Sequence, residues 1–476
     1  MNRLQALSRG HWVYPAVFAL ALTIRLIWIL ALASGGRASF EDGDYVLYEI
    51  GARHIVDEGD FSNSLFLVRP PLFMLEVVAL GNQPTAIVLV NAVWGALTAA
   101  AAVWLARRLG LTPGAAMLAG IITALDPSTI HYSVFLGPEG LANLLMVFGV
   151  AAFLRGVQPG SQSVAWATAA GLALALSSLT RPATYLLWLP LLVWQLAAQW
   201  RAWRRLLLPL TAFAIFAILP TSLWAWHNGQ VFGNAVLSTV SPYTMLYYRA
   251  ASIEYQTGHY ASMDEVFLEL NRRVEAEMGR DPALATLDSR HGYLAASPEL
   301  GAAINRVAMR TFQGHPVLYI ATIPVGFARL MGLLPSSLNT PGQALLWLWN
   351  IVFLFLTGLG LLRAALDRRW TLLIGVGLVA AYYTGGTLLV KSAGMNTRER
   401  TMLTPFMAAA SAYALWWLRQ RYVTTRGIKG RQQASGRPAE EHIEDDRHEV
   451  RAHSLWLDVQ TVFRSVAAVF TGSEAY

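Results

Sequence analysis

The chain has 476 residues, 55% hydrophobic and only 14% charged, with a net charge of +7 and no cysteine. A soluble domain carries about 25% charged residues, so this composition, with a mean hydropathy of +0.41, reads as an all-α polytopic membrane protein. Disulfides and thiolate metal sites are excluded, and the arginines, set in short clusters between apolar runs, are a membrane-orientation pattern and not a nucleic-acid footprint.

In chain order, the apolar runs predict about ten spans: 12–33, 84–106, 114–132, 139–156, 163–180, 183–200, 204–226, 343–366, 371–391 and 404–420. No small-residue cleavage site follows the first, so it reads as a span and not a removable signal peptide. Arg3 and Arg9 precede it. Arg107 and Arg108 follow the second span, and Arg155 ends the fourth. Arg201, Arg204 and Arg205 separate the sixth and seventh; Arg363, Arg368 and Arg369 follow the eighth; Arg419 and Arg421 follow the tenth. If the spans alternate, every cluster falls on one side, which the positive-inside rule makes cytoplasmic. The run His315–Pro335 is also long enough to cross. Counting it would put Asp367, Arg368 and Arg369 outside, so it is expected to be interfacial or re-entrant on the outer face.

Two exterior loops remain, about 34–83 and 227–342. In the second, Ser262 with Glu265 forms a capping box, and Ser297-Pro298 is an N-cap followed by a helix-starting proline. A few small helices over the membrane are expected there, not a large domain. Residues 1–420 make one membrane module. Residues 421–448 are charged and read as a disordered cytoplasmic linker. Within 449–476, the spacing of Leu455, Val459, Val462, Phe463, Val466 and Phe470 predicts an amphipathic cytoplasmic helix lying on the membrane. No internal repeat is evident.

The outer ends of the spans gather few charges: Asp42 and Asp44 in "EDGDYVLYEI", Arg69 in "VRPPLFM", Asp126 and Glu139 around "DPSTIHYSVFLGPEG", Arg181 in "LTRPA", and Lys391, Arg398, Glu399 and Arg400 in "VKSAGMNTRERTMLTP". Carboxylates beside several arginines suit sugar transfer from a lipid phosphate. The phosphate leaving group needs cations as its charge grows, arginine binds its oxygens bidentately, and the acceptor hydroxyl needs a base.

These motifs, in order and over roughly residues 12–420, resemble the GT-C glycosyltransferases, closest to the branch of protein O-mannosyltransferases and bacterial aminoarabinose transferases. The resemblance implies a GT-C-like helical bundle and an activity that moves a sugar from a polyprenyl-phosphate donor to a glycan, lipid or protein acceptor. The active site would lie on the exterior face of the bacterial inner (plasma) membrane, with membrane lipids but no nucleic acid as partners. It gives the base role to Asp42 or Asp44, a second acidic role to Glu139, and donor-phosphate contacts to Arg69 and to Arg398 or Arg400, with Lys391 in the same terminal motif. The first motif departs from the family in crowding three acids before Tyr45. No cofactor is defined; exterior acids are able to hold Mg²⁺ or Mn²⁺, but no ligand set stands out.

More ordinary readings stand beside these. A surface helix is expected from about residue 43, with an aspartate as N-cap. Residues two apart in a helix point to different sides, so Asp42 is favoured as base and Asp44 as the cap. Arg181, before Pro182, reads as snorkelling to lipid. Asp126 before Pro127 reads as a turn former. Arg25, within the first span, either turns to the site or pairs structurally. His131 and His227 read as interface residues. Trp224, Trp226, Tyr243, Tyr247 and Tyr248 are able to stack on sugars, but the outer aromatic belt is the commoner reason for such residues. Two other functions compete: a transporter or lipid flippase, and a non-catalytic membrane scaffold.

Overall fold

A computed structural model of the protein describes residues 12–41, 43–160, 162–334, 340–392 and 395–433, the side chains of 290, 291 and 423–433 excepted. Arg3, Arg9, Asp42, most of the charged linker and the amphipathic segment 449–476 lie outside the described residues. The architecture is helical, and one isolated bridge, Glu41 to Leu136, is the sole extended pairing among the described residues.

The helices used below are α1 Val13–Leu32, α2 Tyr45–Glu58, α3 Leu72–Ala79, α4 Pro84–Arg108, α5 Pro113–Leu125, α6 Pro127–Tyr132, α7 Glu139–Gly156, α8 Ser163–Thr180, α9 Trp188–Ala198, α10 Trp203–Phe232, α11 Met263–Glu277, α12 Pro298–Gly314, α13 Pro316–Leu330, α14 Pro341–Leu366, α15 Trp370–Val390, α16 Thr397–Arg400 and α17 Thr404–Gln433. Among the described residues, seven segments are long and apolar enough to cross a membrane: Val13–Gly35, Pro84–Arg108, Glu139–Gly156, Ser163–Thr180, Trp200–Phe232, Pro341–Leu366 and Trp370–Val390. Shorter apolar helices occupy Pro113–Leu125, Pro182–Ala198 and Pro316–Leu330. The first two stand where spans 114–132 and 183–200 are expected. The expected last span, 404–420, lies within α17.

The span expected at 114–132 is not one helix. It stops at Leu125, because Pro127 has no N–H to continue the ladder. Asp126 then caps α6, its side chain accepting from Thr129 N at 2.9 Å. In the loop 227–342 the two expected caps are in place: Ser262 accepts from Glu265 N, and Ser297 from Leu300 N ahead of Pro298. α13 has 15 residues, a rise of about 22 Å, short of a 30 Å hydrocarbon core.

Helix packing relies on small residues. α8 lies against α7 and α10, and α14 against α17. A Cβ added at Gly171 would sit 2.3 Å from Phe213 O, and one at Gly360 1.9 Å from Ala410 O. Such backbone-to-backbone approach is how membrane helices gain contact when water does not drive them together.

The spans alternate, which sorts their termini into two ends. At one end Arg108 at the close of α4 donates to Gln158, just past α7, at 3.2 Å. At the other lie the loops 34–83 and 227–342, joined by Ser238 Oγ donating to Val68 O at 2.7 Å and Thr239 N to Leu67 O at 2.8 Å. Tyr45, Tyr48, Phe66 and Phe73 of the first loop share an apolar cluster with Ile87 and Val88 of α4 and Trp224 of α10, whereas the second loop has a small core of its own in Leu246, Val266, Ile304 and Phe312.

Candidate active site

Five separate segments bring charge together at the loop-bearing end. Asp44 stands at the N-cap of α2, but its side chain caps nothing. Its carboxylate instead meets Arg69 Nη2 at 3.0 Å and Arg398 Nη1 at 3.3 Å. The expected cap by Asp44 is therefore not made: two guanidinium groups compete better for an anion than a neutral backbone amide does. Asp42, the favoured base, lies outside the described residues.

Arg69 is held extended, φ −125° and ψ 123°, as a residue before proline must be. This ends the short helix Leu65–Val68 and aims the guanidinium at Asp44 and over the Tyr48 ring, 5.7 Å from its centroid. Arg69 Nε is buried with no hydrogen-bond partner among the described residues. Arg181, also before proline and also extended, closes α8.

Glu139 opens α7 and is 2% exposed. Its Oε1 accepts from Arg398 Nε at 2.7 Å and Arg181 Nη1 at 3.1 Å. Arg398 thus bridges two carboxylates from distant parts of the chain. It sits on α16, whose Glu399 pairs with Lys391 and also closes a capping box with Asn396. Lys391 Nζ lies 4.9 Å from the Tyr248 ring centroid.

The cluster therefore sets four cations, Arg69, Arg181, Arg398 and Lys391, against three carboxylates, Asp44, Glu139 and Glu399. Burial pushes the Asp44 carboxyl up, but Arg69, Arg398, Arg181 and Lys391 together hold it below its ordinary value. Glu399 follows the same pattern, with burial opposed chiefly by Lys391 and Arg181. Asp44 is the open member, its side chain 40% exposed.

Arg400, expected as a phosphate ligand, points the other way. It is 1% exposed and donates to Asp126 Oδ1 at 2.9 Å, Ser128 Oγ at 3.0 Å and Asn350 Oδ1 at 2.7 Å. Asp126, fully buried, also accepts from Trp349 Nε1 at 3.0 Å. This pair bolts α16 to the bundle beneath the cluster. Arg25 is structural too: its Nε donates to Ser133 Oγ at 2.7 Å and its Nη1 to Ala21 O at 3.0 Å.

The sequence placed Arg181 and Glu399 among the outer charges but gave neither a role in the site. Arg181 carried the same arginine-before-proline signal as Arg69, and Glu399 the capping spacing from Asn396. His131 accepts from Trp28 Nε1 at 3.4 Å, and His227 Nε2 lies 3.3 Å from Phe61 O. The described residues define no ligand set for a divalent cation. They include no group of three or more acids and histidines able to hold one, and Asp44 and Glu139 are already committed to guanidinium groups.

Residues 70–226 match the family model described as dolichyl-phosphate-mannose-protein mannosyltransferase. Among solved structures, the fold is similar to the archaeal oligosaccharyltransferase AglB from Archaeoglobus fulgidus, solved with an inhibitory peptide and a dolichol-phosphate. The TM-score is 0.51 and the identity 13%, over 96% of this chain and 56% of that one. This chain thus spans just over half the length of the archaeal protein, and the likeness confirms the GT-C-like bundle expected from the motifs. ArnT from Cupriavidus metallidurans, bound to undecaprenyl phosphate, also matches, at 17% identity over 85% of this chain and 78% of that one, TM-score 0.38. No curated protein matches the chain.

Proposed function

We propose that the protein is a membrane glycosyltransferase that moves a sugar from a polyprenyl-phosphate donor to an acceptor hydroxyl. The observation that carries the reading is the Asp44–Arg398–Glu139 bridge with Arg69 and Arg181 on its flanks. A surplus of cations beside a half-open carboxylate is what a departing lipid phosphate and an attacking hydroxyl require. In this reading the donor phosphate takes Arg69, Arg398 and Lys391, and the unfilled Arg69 Nε–H supplies one donor. Asp44, released from its arginines by the phosphate, accepts the acceptor's proton. The acceptor oxygen bonds to the anomeric carbon, the bond from that carbon to the phosphate oxygen breaks, and the electron pair leaves on the phosphate. Glu139 stays buried and holds Arg398 and Arg181 in place.

The site faces the exterior of a bacterial plasma membrane in this reading, because the arginine-rich span ends lie opposite. The sugar is a hexose or pentose and the acceptor a glycan, lipid or protein of the cell envelope. A transporter would place its polar groups near mid-membrane at broken helices, whereas these gather at one end.

The deciding experiment supplies purified protein in lipid nanodiscs with a panel of polyprenyl-phosphate hexoses and pentoses and measures released polyprenyl phosphate. Absence of release and of binding across the panel would sink the reading. For orientation, an impermeant thiol reagent in intact cells should label Ser262→Cys and leave Gln162→Cys untouched; the reverse pattern would place the site in the cytoplasm.

A further inference from the structure

Within the loop 227–342, residues Met245–Ala250 form a π-helix, a local widening found often at functional sites. Four of its six residues, Leu246, Tyr247, Arg249 and Ala250, are buried. Arg249 donates to Thr322 Oγ1 at 2.7 Å and lies 4.2 Å from the Tyr319 ring centroid. Tyr247 donates its hydroxyl to Asn271. Between these two anchors Tyr248 is 40% exposed, with the Lys391 ammonium 4.9 Å from its ring centroid. Within this wider turn the Tyr248 ring alone stands clear of the loop's core, beside a cation of the charge cluster.

We propose that Tyr248 grips the sugar of the donor: its ring packs against the sugar's C–H face while Lys391 beside it holds the phosphate one bond away. This rests on the glycosyltransferase reading and deepens it. A tyrosine of the lipid belt would face acyl chains. Tyr248 instead feels the cluster: burial raises its hydroxyl above the ordinary value, Asp44 adds to the rise, and Arg69 opposes it. Lys391 also pairs with Glu399 on α16, so the ring lies against one of the cations that the phosphate would use.

The test compares affinities of bare undecaprenyl phosphate and of undecaprenyl phosphate carrying a hexose or pentose, in nanodiscs, for the wild type and for Tyr248→Ala, Tyr248→Leu and Tyr248→Phe, with thermal melting as folding control. Expected is a loss of about 2- to 10-fold in affinity for the glycosylated lipid in the Ala and Leu variants, with the bare phosphate unchanged and Phe close to wild type. If Ala and Leu weaken both lipids equally, Tyr248 only shapes the phosphate cradle and the proposal falls. If they weaken neither, Tyr248 is a belt residue and the proposal falls. If the wild type binds neither lipid, the glycosyltransferase reading falls with it.

Discussion

Glu139 and Arg398 meet at 2.7 Å although 259 residues separate them in the chain. The same guanidinium reaches Asp44 at 3.3 Å. One planar fork therefore fixes the relative positions of the first loop, the start of α7 and the segment before α17.

Replacing that fork by a point charge gives the first prediction. Arg398→Lys keeps a cation beside Glu139 but cannot donate from separate nitrogens to two carboxylates. The variant should melt close to wild type, because Arg181 still pairs with Glu139, while transfer falls by at least ~10-fold, a loss of about 1.4 kcal/mol of transition-state stabilisation. A Lys variant as fast as wild type would show that the bridge has no catalytic consequence.

The carboxylates of the first loop come next. Asp44→Asn preserves shape and removes the proton acceptor, so turnover should drop about 10²–10⁴-fold with the protein still folded. Asp42→Asn, assayed in parallel, should retain most activity. An inactive Asp42→Asn beside an active Asp44→Asn would move the base role to Asp42.

The pH dependence follows from the same arginines. Asp44 in the free protein is held below its ordinary value, so it is ionised at neutral pH. The acid limb of kcat/KM, which reports the free enzyme, should appear only below the ordinary carboxylate range. In the donor complex the phosphate takes the arginines, the lowering relaxes, and the acid limb of kcat should sit at higher pH. The sign for stability agrees: a depressed folded-state value contributes stability above the unfolded value, lost as pH falls through the folded one. Coincident limbs for kcat and kcat/KM would remove Asp44 from phosphate competition.

The buried pair beneath the cluster gives the last prediction. Arg400→Ala strands Asp126 without its cation and should cost about 3–5 kcal/mol, read as a large drop in melting temperature. Asp126→Asn with Arg400→Gln removes both charges at once and should recover a good part of that loss. A double variant no more stable than Arg400→Ala would mean that the pair is not the bolt holding α16.

Much of this was legible in the sequence. Span ends, loop caps, Arg69 and Glu139 follow from apolar run lengths, capping residues and motif order. The rotation of α16 was equally available but not used. Arg398 and Arg400 are two apart on a helix, and residues two apart point to different sides, so both could not face one phosphate. The partner of Asp126 was not available at all, since no local pattern reports a residue 274 positions downstream. Nor did periodicity warn that the helix begun at Pro113 would stop at Leu125, although Pro127 marked the place. Tyr248 was visible only as one of five aromatics, and nothing local told it from the other four: the π-turn that leaves it exposed between buried neighbours is a feature of the fold.

That long separation bears on how the molecule is made. Asp126 enters the membrane early in synthesis, and Arg400 leaves the ribosome 274 residues later. In between, α5 and α6 hold an acid whose counter-ion does not yet exist, a costly state within a bilayer. Helix α17 arrives directly behind Arg398 and Arg400, which give Asp126 its counter-ion and add a second arginine to Glu139 and Asp44, already beside Arg181 and Arg69. A chain interrupted before residue 397 carries Asp126 without its arginine, which gives membrane quality control a chemical mark by which to tell the unfinished protein from the finished one.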